Sequence, residues 1–241
     1  MRHLAAERFS HLPHFRGSEF FRIDEGVLRR LESIATHRIC GPNEFIYLQD
    51  DEAESLFFVR SGHVRLSYLL DDGSPILFGI LPAGESFGEL GVFEGGCHCD
   101  MATSIGTSSI FSVAAPAFRR LCEAHPELAV ALGRTVARRY RSYISLTRIL
   151  GLKTLPARLS QCVLRLADSL DDWTEHGGRR VRRLGAFVTQ SDLGLMARGA
   201  RGNVNRALKA WERDGLIAVR DRSLLVLDRP GLDALALDDD I

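Results

Sequence analysis

The chain has 241 residues, of which 45% are hydrophobic and 26% are charged, and its basic and acidic residues are equal in number. This composition excludes an intrinsically disordered chain. No apolar run approaches the roughly 20 residues of a membrane-spanning helix, so no membrane partner is expected. The five cysteines are too few and too scattered for a disulfide framework, and the first residues lack a signal-peptide pattern. We therefore expect a cytoplasmic protein.

A β-rich segment is predicted from about residue 38 to residue 113. Leu56–Val59 and Val64–Tyr68 are short apolar or alternating runs, and Ser61-Gly62 between them predicts a turn. Glycines recur every eleven residues, at Gly62, Gly73, Gly84, Gly95 and Gly106. We interpret this spacing as the strand-plus-turn length of an antiparallel β-barrel or jelly roll. The barrel is assigned to residues 24–125, after an N-terminal arm of residues 1–23.

A long helix is predicted over residues 126–152. Its apolar residues follow one another in steps of 4, 4, 4, 3, 3 and 4, at Leu128, Leu132, Val136, Tyr140, Tyr143, Leu146 and Leu150. This nearly heptad spacing is typical of a coiled-coil seam. Such a stripe serves either an intramolecular core or a dimer interface, and we favour the dimer because the helix lies between two domain-like regions.

The C-terminal region, residues 153–230, has the signals of a helix-turn-helix. A helix is predicted at about Pro156–Ser169, and a hairpin is predicted around Gly177-Gly178. A capping-box pattern runs from Thr189 to Asp192 and opens a short helix, and Arg198-Gly199 follows as a turn. A second helix is predicted from Arg201 to Arg213, ending before a glycine. Residues 216–227 are predicted to form a two-stranded wing, and residues 231–241 an acidic tail.

The second helix of this motif has one apolar face and one polar, basic face. Residues 179–222 contain eleven Lys/Arg and four Asp/Glu, a local excess that attracts phosphates although the whole chain is neutral. Arginine reads guanine and asparagine reads adenine in the major groove. The alternative is an ordinary amphipathic helix with a solvated face. The capping box, the short turn, the glycine stop and the local charge together favour double-stranded DNA as the partner.

The chain resembles the cyclic-AMP receptor protein/Fnr (CRP/FNR) superfamily of bacterial transcription regulators over nearly its whole length. The resemblance depends on Gly84-Glu85-x-Phe87-Gly88-Glu89-Leu90, on the Leu128–Leu150 helix and on residues 189–217, which occur in the family's order. It implies an α+β homodimer with an N-terminal cyclic-nucleotide-binding-like β-barrel, a long dimerisation helix and a C-terminal winged helix-turn-helix. The two reading helices would enter successive major grooves of a near-palindrome. It also implies RNA polymerase as a partner and no enzymatic activity.

By resemblance, seven residues fall at DNA-contacting positions. The base-reading positions are Arg201, Gly202, Asn205 and Arg206, and the positions that touch phosphates or support the reading helix are Thr189, Gln190 and Lys209. Gly202 departs from the glutamate that many family members carry there.

The sensor domain departs from the family more strongly. Gly88, Glu89 and Leu90 match the start of the phosphate-binding cassette. Where the family has an arginine followed by Ser or Thr, this chain has Cys99-Asp100 or, with a one-residue shift in alignment, Asp100-Met101. No Lys or Arg occurs from Gly91 to Phe118. Tyr143 and Ile144 stand where small hydroxyls contact adenine. Because an aspartate repels a phosphate, we expect that cyclic AMP does not bind by the usual route, unless a basic residue such as Arg138 or Arg139 replaces the arginine.

Cys97-His98-Cys99 gives the chain a second functional hypothesis. Thiolate and imidazole are soft ligands, so these residues are weak candidates for a metal site, a haem site or a redox switch. The four-ligand spacing of a zinc site is missing, and three adjacent residues do not all face one ion without a special turn. The alternative is a glycine-flanked surface loop, and the effector stays unknown. No nucleophile motif, paired carboxylates or phosphate loop predicts an enzyme.

Overall fold

The computed structural model describes residues 19–237 of the chain. These residues form two compact units. The first contains the described residues up to Tyr68 together with Leu81–Ser142, and the second contains Leu69–Ile80 with the residues from Tyr143 onward. The α+β class predicted from the sequence is confirmed: an N-terminal antiparallel sheet, a long helix and a C-terminal helix-turn-helix follow one another. The exact domain boundaries remain predictions.

The N-terminal part begins with a 3₁₀ turn at Glu19–Arg22. It continues with α1 (Glu25–Ser33), β1 (Thr36–Cys40), β2 (Phe45–Tyr47), β3 (Ser55–Leu69), β4 (Pro75–Pro82), β5 (Ser86–Phe87), α2 (Leu90–Glu94), β6 (Met101–Ala114), α3 (Ala115–Ala124) and the long helix α4 (Pro126–Leu150). The strands form one six-stranded sheet in the order β1-β6-β3-β4, with β2 on β6 and β5 on β3. The long strands β3 and β6 pair antiparallel from Ser55↔Ala114 to Ser67↔Met101.

Gly62 does not form the turn that the sequence predicted. Strand β3 runs through it without interruption, and the register with β6 shifts between Val59 and Ser61 and again between Ser61 and His63. The φ of Gly62 is +84°, and a Cβ there would lie 2.4 Å from the Oγ of Ser108 on β6. The glycine therefore permits a β-bulge at a close approach of two strands, which the regular glycine spacing did not distinguish from a turn.

The core of the first unit lies between the sheet and helices α1, α3 and α4. Phe58 and Phe111 stack with ring centroids 4.8 Å apart, and Phe20 packs on Phe58 edge to face at 5.1 Å. Phe20 and Ile23 are buried, so this end of the predicted N-terminal arm belongs to the core; residues 1–18 of that arm lie outside the described residues.

The second unit contains the helix-turn-helix and a small sheet. Its elements after α4 are α5 (Leu155–Leu170), β7 (Trp173–His176), β8 (Arg179–Leu184), α6 (Gln190–Ala197), α7 (Arg201–Arg213), β9 (Ile217–Arg220), β10 (Ser223–Val226) and α8 (Arg229–Leu237). The sheet order is β7-β8-β10-β9. The predicted hairpin at Gly177-Gly178 is therefore confirmed as β7–β8, and the predicted wing is confirmed as β9–β10.

The predicted acidic tail is wrong for residues 231–237, which belong to α8. Leu232 is fully buried, and Arg229 binds Asp168 of α5 with two hydrogen bonds of 2.6 and 2.7 Å. This ion pair holds the pKa of Asp168 below its ordinary value. Asp238–Asp240 lie outside the described residues. Within residues 19–237, no helix is both long and apolar enough to cross a membrane.

Candidate DNA-reading and sensor sites

The first helix of the helix-turn-helix begins with the capping box that the sequence predicted. The backbone N–H of Asp192 donates to Thr189 Oγ1 at 3.1 Å, and the backbone N–H of Thr189 donates to Asp192 Oδ2 at 2.8 Å. Asp192 is buried. These reciprocal bonds fix the start of α6 and therefore the position of Gln190, the first residue of the helix.

A turn of three residues joins α6 to α7. Arg198 adopts the left-handed conformation at φ 52°, and the N–H of Gly199 donates to the carbonyl of Gly194 at 2.9 Å. A Cβ on Gly194 would lie 2.5 Å from the Gly199 oxygen, so the turn packs against α6 as closely as glycine allows.

Helix α7 buries one face and exposes the other. Val204, Leu208 and Trp211 are buried, as predicted. The opposite face carries the predicted base-reading and phosphate positions: Arg201, Gly202, Arg206 and Lys209 are exposed, and Asn205 is half-buried. All seven predicted DNA residues therefore lie on α6, its N-cap and α7, within one unit.

Two hydrogen bonds on this surface were not predicted. The Nδ2 of Asn205 donates to the Oε1 of Gln190 on α6 at 3.1 Å, and the Nη2 of Arg206 donates to the Oδ1 of Asn203 one turn earlier on α7. Asn203 was not predicted, although the sequence carried a signal for this contact, because residues three apart on a helix are neighbours.

The sensor cassette begins at Gly88, which has φ +73° and little space around it. A Cβ there would lie 2.8 Å from the Phe57 ring and 3.3 Å from the His98 ring. Glu89 is buried and forms an ion pair with Arg139 of α4, with Arg139 Nε 3.3 Å from Glu89 Oε1. The Nη2 of Arg139 also donates to the carbonyl of Ser86 at 2.7 Å.

Arg138, the second basic candidate for the sensor, also binds a carboxylate. Its Nη1 and Nη2 donate to Glu85 Oε1 and Oε2 at 2.8 and 2.7 Å, and Glu19 lies 3.9 Å from its Nε. A bidentate pair of this kind is a strong charge-assisted contact. Both basic candidates of the sensor therefore have carboxylate partners already.

Asp100, which was predicted to stand at a family arginine or hydroxyl position, is buried. The hydroxyl of Tyr47 donates to Asp100 Oδ1 at 2.9 Å. The Tyr47 ring stacks on the His98 ring with centroids 3.6 Å apart and planes 10° apart. Burial lowers the pKa of His98 below its ordinary value, although Asp51 and Glu89 oppose this effect. Tyr47 thus contacts both Asp100 and His98 in the predicted cassette.

The Cys97-His98-Cys99 side chains do not face one point. His98 is 5% exposed, while Cys97 and Cys99 on either side of it are exposed. Burial raises the pKa of the Cys99 thiol, and neighbouring Asp100 raises it further, so the thiolate is disfavoured. No group of three or more His, Cys, Asp or Glu residues in the described part of the chain is placed to hold a metal ion. The geometry gives the metal hypothesis no support, and the haem and redox hypotheses remain predictions.

The predicted dimer seam requires a correction at its first residues. Leu128 and Leu132 are 0% and 1% exposed and belong to the core of the first unit, so they are not available to a partner. Leu146 is also buried, Val136 and Leu150 are half-buried, and Tyr140 is exposed. The apolar stripe read from the sequence thus mixes the buried face of α4 with its solvent-facing side. Tyr143 packs on Phe78 at 4.7 Å, and Ile144 is 41% exposed.

Comparisons with known protein families support the predicted type of both the N-terminal and the C-terminal domain. A family model described as a cyclic nucleotide-binding domain matches residues 38–125, and one described as a Crp-like helix-turn-helix domain matches residues 157–235. The chain belongs to the CRP/FNR superfamily. It is accordingly a DNA-binding transcription regulator with a domain of the cyclic-nucleotide-binding type.

Individual known proteins resemble the chain at moderate identity. The cAMP-activated global transcriptional regulator Vfr of Pseudomonas aeruginosa is 27% identical over 207 residues, which cover 83% of this chain and 94% of Vfr. A CRP-family transcriptional regulator from Thermus thermophilus has 26% identity and a TM-score of 0.65, covering 83% of this chain and 96% of that structure. FixK2 from Bradyrhizobium japonicum shares the fold, with 23% identity, a TM-score of 0.71, and coverage of 84% and 97%.

Proposed function

We propose that the chain acts as a homodimeric, sequence-specific regulator that binds near-palindromic promoter sites and contacts RNA polymerase there. The observation that carries this proposal is the exposed face of α7, where two arginines, one lysine and one asparagine surround Gly202. Arg201 and Arg206 are assigned to guanine, Asn205 to adenine, and Lys209 with Thr189 and Gln190 to phosphates.

A binding-site selection with purified protein tests the base-reading assignment. Each bidentate Arg–guanine contact is worth about 1–3 kcal/mol of discrimination, so Arg206→Ala should flatten the preference at one position of each half-site. Lys209→Ala is the matched control on the same face. It should weaken binding to all sequences alike and reduce the salt slope by about 1. Unchanged base preferences in Arg206→Ala would contradict the assignment.

The dimer seam is proposed to lie on the side of α4 that faces away from the core. Val130, Tyr140 and Ile144 are 53%, 64% and 41% exposed, and Gly133 and Ala137 between them are exposed as well. These five positions follow one another in steps of 3, 4, 3 and 4. The spacing is heptad, and at 100° per residue the stripe lies opposite Leu128 and Thr135, which are buried. Small residues at its centre allow two helices to approach closely.

Sedimentation measurements test this seam. Ala137→Glu and Tyr140→Glu should give monomers with much weaker DNA binding, because each places a charge in the apolar interface. Ser145→Glu places the same charge on the flank of the same helix, where the residue is exposed, and should leave the dimer intact. A stable dimer in Tyr140→Glu at micromolar concentration would show that the interface lies elsewhere.

The sensor domain is proposed not to bind cyclic AMP by the family's usual route. The residues present do not fit a phosphate: Asp100 is acidic and buried, no Lys or Arg occurs from Gly91 to Phe118, and Arg138 and Arg139 pair with carboxylates. An uncompensated buried phosphate costs several kcal/mol.

Calorimetry with cyclic AMP and cyclic GMP tests the sensor proposal. We expect no micromolar binding to the full-length protein. Vfr is described as cAMP-activated, and the alternative for this chain is a cyclic-nucleotide-responsive regulator with an altered ligand pose. Micromolar binding that also raises DNA affinity would establish that alternative.

A further inference from the structure

One hydrogen bond ties the reading helix to the start of the helix before it. Asn205 of α7 donates from Nδ2 to Oε1 of Gln190, the first residue of α6, at 3.1 Å. Asn205 is half-buried, whereas the neighbouring base-reading candidates Arg201 and Arg206 are exposed. The amide of Asn205 therefore has a partner on another helix before any DNA arrives, whereas Arg206 donates to Asn203 of its own helix.

The hydrogen bond to Gln190 selects the orientation of the Asn205 side-chain amide. An asparagine side chain has two N–H donors and one carbonyl acceptor, and its terminal torsion has two nearly equivalent orientations. Gln190 Oε1 takes one N–H and selects one orientation. One donor and the carbonyl oxygen then remain for DNA. Adenine presents the complementary pair in the major groove, the N7 acceptor and the N6 donor.

We infer that Gln190 is a positioning residue that holds the Asn205 amide in the orientation that reads adenine. The inference rests on the proposed function, since it names the base that one side chain of α7 selects and the residue that makes the selection sharp. The Thr189–Asp192 capping box supports this inference, because it fixes the backbone at the start of α6, where Gln190 lies. Specificity for the base that Asn205 contacts then depends on two residues, Gln190 on α6 and Asn205 on α7.

The experiment measures base preference at every position of the half-site for the full-length protein, by binding-site selection followed by titration of single-base variants. The variants are Asn205→Ala, Gln190→Ala, Gln190→Glu and the double alanine variant. Gln190→Glu keeps an acceptor for Asn205 Nδ2, and Ser191→Ala changes the exposed neighbour of Gln190 as a matched control. The fluorescence of Trp211, which is buried on α7, confirms that each variant is folded.

We expect the wild type to prefer adenine about tenfold or more at one position of each half-site, the size of a bidentate amide contact. Asn205→Ala should abolish this preference, and Gln190→Ala should reduce it at least threefold although Asn205 is still present. In the Asn205→Ala background, Gln190→Ala should change nothing further at that position. Compared with Gln190→Ala, Gln190→Glu should restore the adenine preference. It should also lower the affinity for all DNA sequences alike, because its negative charge would face phosphates. Ser191→Ala should match the wild type.

Three results would overturn the inference and leave the proposal of a sequence-specific DNA-binding regulator standing. The first is a specific site without an adenine preference at any position, and the second is a preference that survives Gln190→Ala but not Asn205→Ala. The third is a failure of Gln190→Glu to restore the preference, which would refute the orientation argued from the donor and acceptor. A wild-type protein that selects no sequence would instead refute the proposed function and this inference with it.

Discussion

Removing the positive charge of Arg139 should destabilise the first unit strongly. Arg139 lies 3.3 Å from the buried carboxylate of Glu89, and the side chains of the pair are 14% and 5% exposed. Arg139→Met keeps most of the side-chain volume but leaves Glu89 buried without this ionic partner. Breaking a buried ion pair from one side costs about 3–5 kcal/mol, a large part of the 5–15 kcal/mol that stabilises a typical domain. The thermal midpoint should fall by on the order of 10 °C.

The two tryptophans, Trp173 and Trp211, make the assay selective for one unit. Both belong to the second unit, so their fluorescence reports its unfolding, whereas far-UV circular dichroism reports both units. Arg139→Met should shift a circular-dichroism transition and leave the fluorescence transition in place. The control is Arg134→Met, an exposed arginine on the same helix, which should stay within about 0.5 kcal/mol of the wild type.

The double variant Glu89→Leu/Arg139→Met completes the test. Removing both charges leaves no unpaired charge, so the double variant should be less destabilised than the sum of the single variants by about 1 kcal/mol or more. A loss below about 1 kcal/mol in Arg139→Met, or an equal shift of both transitions, would refute the role assigned to this ion pair.

Three further predictions concern stability. Gly62→Ala should destabilise the fold by more than the roughly 1–2 kcal/mol of left-handed backbone strain, because its Cβ would lie 2.4 Å from the Oγ of Ser108. Gly106→Ala, at φ +62° with nothing within 4 Å of its Cβ, should cost that strain alone. Urea unfolding followed by circular dichroism compares the two variants. Burial lowers the pKa of His98 below its ordinary 6.5, so the neutral imidazole contributes fully to folding stability above that pH, and this contribution is lost as the pH falls below it. His98→Phe should therefore reduce the difference between the unfolding midpoints measured at about pH 7.5 and 5.5. Gly202→Ala should stabilise the second unit by up to about 1 kcal/mol and so raise the fluorescence midpoint, since glycine is a poor helix former and a Cβ there meets nothing within 4 Å; a lower midpoint would contradict this.

The local elements of the DNA-binding part were determined by the sequence. The helix starts and stops depend on short-range chemistry: the reciprocal bonds of Thr189 and Asp192 at the start of α6, and Gly215 with φ +73° just after the end of α7. The faces of α7 follow from helical periodicity, so the exposure of Arg206 and the burial of Trp211 were predictable. The absence of Lys and Arg from Gly91 to Phe118 was likewise visible in the order of residues alone.

The tertiary structure decided which partner each side chain has. Periodicity marks an apolar stripe on α4 but does not tell whether a leucine faces its own core, so Leu128 and Leu132 were assigned to a partner chain that they do not face. Glycine spacing likewise does not separate a turn from a bulge, because the bulge at Gly62 depends on Ser108, 46 residues away in the sequence. The Gln190–Asn205 hydrogen bond exists only because two helices cross at a close contact. Local signals fix elements, whereas contacts between residues distant in sequence depend on the packing of those elements.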